Sequence, residues 1–214
     1  MSDINGQKKK ILETSMNLFA SRGFEGTSIR EISRAMNMSI SGIYYYFGSK
    51  EGLVEAIIES NSQRLITELR RIVDAEKEPL ARFRKLVETN IRMSGEYPRE
   101  AKIFFLNEEH LTKEGRKKNR QVQREILEMY INELGALQAG GYLECKNITV
   151  MAFNVLSVVL GFPRWYLPDG KLSLEEVVQE LIGFIMQGVL GMKAPVSKQD
   201  SRAHKQKRVR KSTG

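Results

Sequence analysis

The stretch TSIREISRAMNMSISGIYYYFGSKEGL, residues 27–53, packs three helix starts into one run. Thr27 or Ser28 offers the first N-cap, and Glu31 stands three residues after Ser28 in capping-box spacing. The helix it opens carries Ile29, Ile32, Ala35 and Met36 and ends near Asn37. Ser39 caps a second, short helix that contains Ile43 and closes around Phe47-Gly48. Ser49, followed by Lys-Glu, starts a third that runs through Leu53, Ile57, Leu65, Leu69 and Ile72. Helix, tight turn, short helix over residues 28–47 is a helix-turn-helix arrangement. Ala35 is small, as a close crossing requires, while Ile32 and Ile43 fix the crossing angle and Met38 fills the turn.

The short helix is about two turns long and presents Ile40, Ser41, Gly42, Tyr44, Tyr45 and Tyr46. Successive helical residues point about 100° apart, so three tyrosines in a row cannot all be buried. An exposed phenol beside Ser41 and Gly42 suits close approach to DNA. Its hydroxyl can meet phosphate oxygens and its ring edge can meet thymine methyls. Lys50, at the start of the next helix, adds an ammonium and a helix dipole for one phosphate.

Helical periodicity continues on both sides. Upstream, Ile11, Leu12, Ser15, Leu18 and Phe19 form one stripe of a helix over about 7–22, with Gly23 at the C-cap position. Downstream, Pro79 suits the first turn of a helix carrying Leu80, Phe83, Leu86, Val87 and Ile91. Another is predicted over roughly 98–111 with Ile103, Phe104 and Leu106. A polar stretch from Lys113 to Arg124 leads into Val122, Ile126, Met129, Tyr130, Leu134 and Leu137, before Gly140-Gly141. The helix at about 146–163 is apolar on more than one face. The last, at about 173–191, is capped by Ser173 with Glu176 at the box position. No alternating strand pattern of useful length appears, so the fold class is all-α with about nine helices. The excess apolar surface of the last two helices fits either the centre of a bundle or a four-helix interface between two copies.

Composition narrows the function classes. The 214 residues carry a formal charge of +8, with 41% hydrophobic and 28% charged residues, the profile of a globular chain. Residues 193–214 carry +7 of that charge, residues 1–52 carry +2 and residues 53–192 carry −1. The excess therefore sits in a basic tail, read as disordered, that is either a solubilising end or a non-specific phosphate contact. No apolar run approaches the ~20 residues needed to span a bilayer, and MSDINGQKKK lacks the pattern of a secretory signal. Cys145 stands alone, and the histidines are only His110 and His204. A cytoplasmic protein is expected, with no cofactor, no metal site and no catalytic residue.

On these residues the chain resembles the TetR-type transcriptional repressors. The run from a hydroxyl-rich start through I-x-x-x-A and a serine cap to Y-x-Y-F-x-S-K-E matches that family's helix-turn-helix block. ILETSMNLFASRGFEGTS is similar to its first helix and following turn. The likeness covers roughly residues 8–60, about a quarter of the chain. It implies a DNA-binding domain over 1–50, a helical effector-binding and dimerisation domain over 51–192, and the tail beyond. It also implies a homodimer through the last two helices, on a near-palindromic double-stranded operator. The expected DNA contacts are Thr27, Ser28, Ser39, Ile40, Ser41, Gly42, Tyr44, Tyr45, Tyr46 and Lys50. Ile40 stands where the family often has a polar or basic residue, and Gly42 where it often has threonine, so hydrogen-bond readout is expected to be sparse.

The effector is expected to be a small molecule. The segment Gly161 to Pro168, with Arg164 beside Trp165, resembles a stretch in the acyl-CoA-sensing branch of the same family. There Arg164 would meet a phosphate or carboxylate and Trp165 would stack on a purine; the alternative is that both simply close the dimer rim. Phe104, Met129 and Phe153 join them as candidate lining residues, although a plain core looks alike in sequence. Two other readings compete. A helix-bundle enzyme would use Glu108-Glu109-His110, but Asn107 breaks the Glu-x-x-His spacing that a di-iron bundle needs. No nucleotide-binding or hydrolase motif is present either. A non-specific nucleic-acid binder would act through the tail alone, with a steep salt dependence.

Overall fold

The computed structural model describes residues 2–96 and 110–191, with side chains from residue 6 onward. Among them are eight α-helices and no strand. They are α1 (Ser2–Arg22), α2 (Ile29–Ala35), α3 (Ile40–Phe47), α4 (Lys50–Ala75) and α5 (Pro79–Glu96). Then come α6 (Lys113–Ala139), α7 (Ile148–Gly161), a 3-10 turn (Phe162–Arg164) and α8 (Leu174–Leu190). The helix expected at 98–111 lies outside the described residues apart from its last two positions, as does the tail. No helix of the described residues is long and apolar enough to cross a membrane.

Local signals account for most boundaries. Ser28 and Glu31 form a complete capping box on α2, and Ser173 and Glu176 form another on α8. Ser39, Ser49, Thr112 and Asn147 each accept a backbone N–H from the first turn they cap. Gly48 closes α3 at φ +72°, a region glycine enters without steric penalty. Gly52 must also be glycine, because a Cβ there would run into the Phe47 carbonyl oxygen. α1 begins near Ser2, earlier than its apolar stripe indicates, and from residue 6 onward Ile11 is its first fully buried position.

The apolar interior forms two clusters. The first joins Ile11, Phe19, Phe24, Ile29, Ile32, Ile43 and the start of α4 (Leu53, Val54, Ile57, Ile58), closed by Leu111. The second begins at Ile66 on α4 and gathers α5, α6, α7 and α8. α5 is its central helix, touching α4, α6, α7 and α8. α4 thus has one end in each cluster. Two polar links pin α5 inside the body. Arg82 Nε donates to Glu133 on α6 at 2.6 Å with both side chains largely buried, and Asn90 Nδ2 donates to the Tyr130 hydroxyl at 3.0 Å. Burial pushes the Tyr130 phenol far above the usual range. At the end of α5, Arg92 bridges Glu88 and Glu175, tying the helix to the start of α8.

Ala35 departs from expectation. It is exposed, and the α2–α3 crossing is made instead by Ile32, Ile43 and the buried Ser33, whose hydroxyl donates to the Met38 carbonyl. The shift places the close contact at the turn rather than along the helices. Asn37, at φ +50°, takes the left-handed corner that asparagine tolerates.

Candidate nucleic-acid interface

α3 is held from beneath and open above. Ile43 is fully buried against Ile32, and burial of each is worth roughly 1.5–3 kcal/mol. At the opposite face Tyr45 is 82% exposed and Tyr44 45% exposed. Ile40 and Ser41 are exposed beside them. Tyr46 is half-buried, edge-on to Tyr45 with ring centroids 5.3 Å apart, and braces the outer ring. Gly42 sits tightly, since a Cβ there would lie 3.2 Å from both the Met38 methyl and the Ser39 hydroxyl. A Cβ there would make both neighbours give by a few tenths of an ångström. The result is a short, rigid helix offering one hydroxyl, two phenols and one aliphatic side chain to a groove.

The remaining expected contacts divide. Ser28 is exposed at the N-terminus of α2, where its backbone N–H and its hydroxyl both donate to the Glu31 carboxylate within the capping box. Thr27 is turned inward instead, 1% exposed, with its hydroxyl donating to Gly23 O at 2.9 Å and reaching Leu18 O at 3.3 Å. It terminates α1, whose last carbonyls need donors. Ser39 is exposed, but its hydroxyl is occupied by the Gly42 N–H (3.1 Å) and by Ser41 (3.0 Å). Lys50 places its ammonium 3.9 Å from the centre of the Phe24 ring, a cation–π contact that fixes it beside α3. His110 stacks on the same ring at 4.2 Å. Lys8 was not singled out from sequence; its ammonium lies over Phe47, 5.7 Å from the ring centre, next to α3. The Lys8–Lys10 run was its only signal.

The five candidate effector residues do not converge. The inner stripe of α7 is taken by Ala152, Val155, Leu156 and Val159, which leaves Phe153 on the outer face, 54% exposed. Val150 on α7 and Phe184 on α8 are exposed in the same way. Arg164 and Trp165 are exposed at the end of α7, with the indole edge-on to Phe162. Met129 is half-buried against the body core, and Phe104 lies outside the described residues. Two cavities run along α6 instead. One, of about 360 Å³, lies between α4 and α6, and the other, of about 780 Å³, opens along the basic side of α6. Neither is lined by Met129, Phe153, Arg164 or Trp165.

Residues 11–57 match the family described as bacterial regulatory proteins, tetR family, and residues 76–189 match the tetracyclin repressor-like C-terminal domain. The transcriptional repressor KstR2 of Mycobacterium tuberculosis (strain ATCC 25618 / H37Rv) is 22% identical over 191 residues, covering 87% of this chain and 94% of that one. Its solved structure superposes with a TM-score of 0.78 at 21% identity, covering 86% and 95%, a likeness of fold. AibR, solved in complex with isovaleryl coenzyme A and operator DNA, superposes with a TM-score of 0.76 at 27% identity, covering 83% and 97%.

Proposed function

The chain belongs to the TetR family of bacterial regulatory proteins, and from that premise we propose a repressor that a small acyl-CoA effector releases from its operator. It is a ligand-responsive DNA-binding regulator rather than an enzyme. The reading head is residues 1–50 and the body is residues 51–192. α3 enters the major groove with Ile40, Ser41, Gly42, Tyr44, Tyr45 and Tyr46, while Ser28, Lys50 and Lys8 meet the phosphates. Ser39 shapes the helix start, and Thr27 supports the head from inside. The observation that carries this reading is the outward Tyr44 and Tyr45, the latter braced edge-on by Tyr46, on a capped helix whose Ile43 is fully buried beneath.

Two copies pair through α7 and α8, placing two α3 helices on successive major grooves of a near-palindromic site. The uncovered Val150, Phe153 and Phe184 support this pairing. So do Gly161, Gly183 and Gly188, where an added Cβ would meet open space in a single chain. The effector reading rests on AibR, whose complex holds an acyl-coenzyme A. α4 carries the signal, because its first turns belong to the head cluster and its later turns to the body cluster. The protein acts on DNA in the bacterial cytoplasm, associated with the nucleoid.

The test is a gel-shift and footprint series with the full chain on DNA flanking its own gene. A protected, two-fold-symmetric site that is lost on adding isovaleryl-CoA is the expected outcome. Retention of the site at saturating acyl-CoA would remove the effector claim and leave the DNA claim intact.

A further inference from the structure

Two polar side chains from distant parts of the chain meet on one aromatic ring beside the recognition helix. Phe24 is buried in the head cluster and tilts against Phe19, with ring centres 5.7 Å apart. The Lys50 ammonium lies 3.9 Å from the centre of the Phe24 ring. The His110 imidazole stacks on the same ring at 4.2 Å, 17° from parallel. Lys50 opens α4, directly after α3, whereas His110 comes from beyond α5, just ahead of α6.

The neighbours of His110 hold it on that ring. Leu111 is buried in the head cluster. The Thr112 backbone N–H donates to Glu55 Oε1, on the second turn of α4, at 2.8 Å. Arg116 Nη1 donates to the Leu111 carbonyl at 2.6 Å. Residues 110–112 are thus fastened to the head and to α4, and the imidazole has little freedom to leave Phe24. This matters for Lys50, whose ammonium ends a flexible four-carbon stem. A lysine that roams must be ordered when it binds an anion, whereas one already seated over a ring gives up less freedom. The ring can seat the ammonium only while it is held itself, and Phe19 and His110 together fix its plane.

The structure assigns His110 a positioning role: by stacking on Phe24 it keeps the ring, and so the Lys50 ammonium, where an operator phosphate meets it. The inference rests on the reading of Lys50 as a phosphate contact. His110 needs no contact with DNA of its own, because it acts through Phe24. The seating of residues 110–112 thereby enters a contact that the head makes with the operator.

The experiment measures affinity of the full chain for its footprinted operator across a salt series. The variants are His110→Ala, His110→Phe, Lys50→Gln and His110→Ala/Lys50→Gln. Lys50→Gln should bind about tenfold more weakly, with the salt slope lower by about 0.9, the signature of one lost phosphate. His110→Ala should lose about threefold or more and lower the slope in the same sense, whereas a residue that only packs would leave the slope alone. The double variant should bind no more weakly than Lys50→Gln. His110→Phe should bind as the unchanged chain does. Phenylalanine keeps the stack but cannot pair with Glu25, whose Oε1 lies 3.8 Å from the imidazole Nδ1, so recovery isolates the stack. Phe24→Leu keeps an apolar side chain without the flat ring and should show the same lowered slope, which serves if His110→Ala melts too low to assay. An unaltered slope in His110→Ala or Phe24→Leu, additive losses in the double variant, or no recovery in His110→Phe would overturn the proposal and leave Lys50 as a phosphate contact. An unaltered slope in Lys50→Gln would remove that reading, and this proposal with it.

Discussion

Tyr45 and Thr27 separate contact from construction. Among the described residues Tyr45 makes its ring contact with Tyr46 and otherwise faces outward, so Tyr45→Ala removes little from the folded chain. Operator affinity should fall about tenfold or more, on the order of 1–2 kcal/mol, at an unchanged melting temperature. Thr27→Val keeps the shape and deletes the donor that Gly23 O and Leu18 O share. The loss should be about 1 kcal/mol, a drop of roughly 2–4 °C in melting temperature, with the salt slope of operator binding unaltered. A slope reduced by about one with an intact melting temperature would return Thr27 to the phosphate. Sequence alone left Thr27 and Ser28 as alternatives for the cap, because adjacent hydroxyls satisfy the same spacing. The end of α1, which needed a donor, decided between them. Ala35 was misread for a similar reason: small size signals a close crossing only if the residue faces the partner helix, and Ser33 holds that position.

At the level of helices, start signals were legible because a cap involves residues three apart. The capping boxes of α2 and α8 also predict acid behaviour. The Glu31 carboxyl is held below its usual range chiefly by the Ser28 backbone N–H, and the Glu176 carboxyl chiefly by the Ser173 hydroxyl. Depressed values stabilise the fold above the unfolded carboxyl range, near pH 4.3, and that stability is lost as pH falls through the folded values. Glu31→Gln/Glu176→Gln should therefore melt lower than the unchanged chain at pH 7 and converge with it near pH 3. Melting curves that stay parallel over that range would contradict the assignment. Between α5 and α6, Arg82→Met strands the buried Glu133 carboxylate and should cost about 3–5 kcal/mol, whereas Arg82→Met/Glu133→Leu should recover much of it. Denaturant midpoints of the single and double variants check this. The faces of α7 were not legible, since Phe153 and Val155 are equally apolar and only the packed bundle shows which one is covered.

For the whole molecule, an operator-binding regulator needs two heads at a fixed separation. Its body leaves Phe184 65% exposed on α8, with Val150 and Phe153 exposed on α7. Phe184→Glu should give a monomer by sedimentation and abolish specific operator binding, although Tyr44 and Tyr45 are untouched. Specific binding by a monomeric variant would break the link between pairing and recognition. The bundle and the reading head could be read from periodicity and caps, but the cavities of the body could not. The cavity between α4 and α6 is made by residues far apart in the chain, and nothing in the sequence marks Asn119 as unpartnered. The most direct test is a stoichiometric footprint of the full chain on its operator. Two chains should protect two half-sites centred one helical turn, about 34–36 Å, apart. A single chain per site, or equal protection of any duplex, would contradict the account.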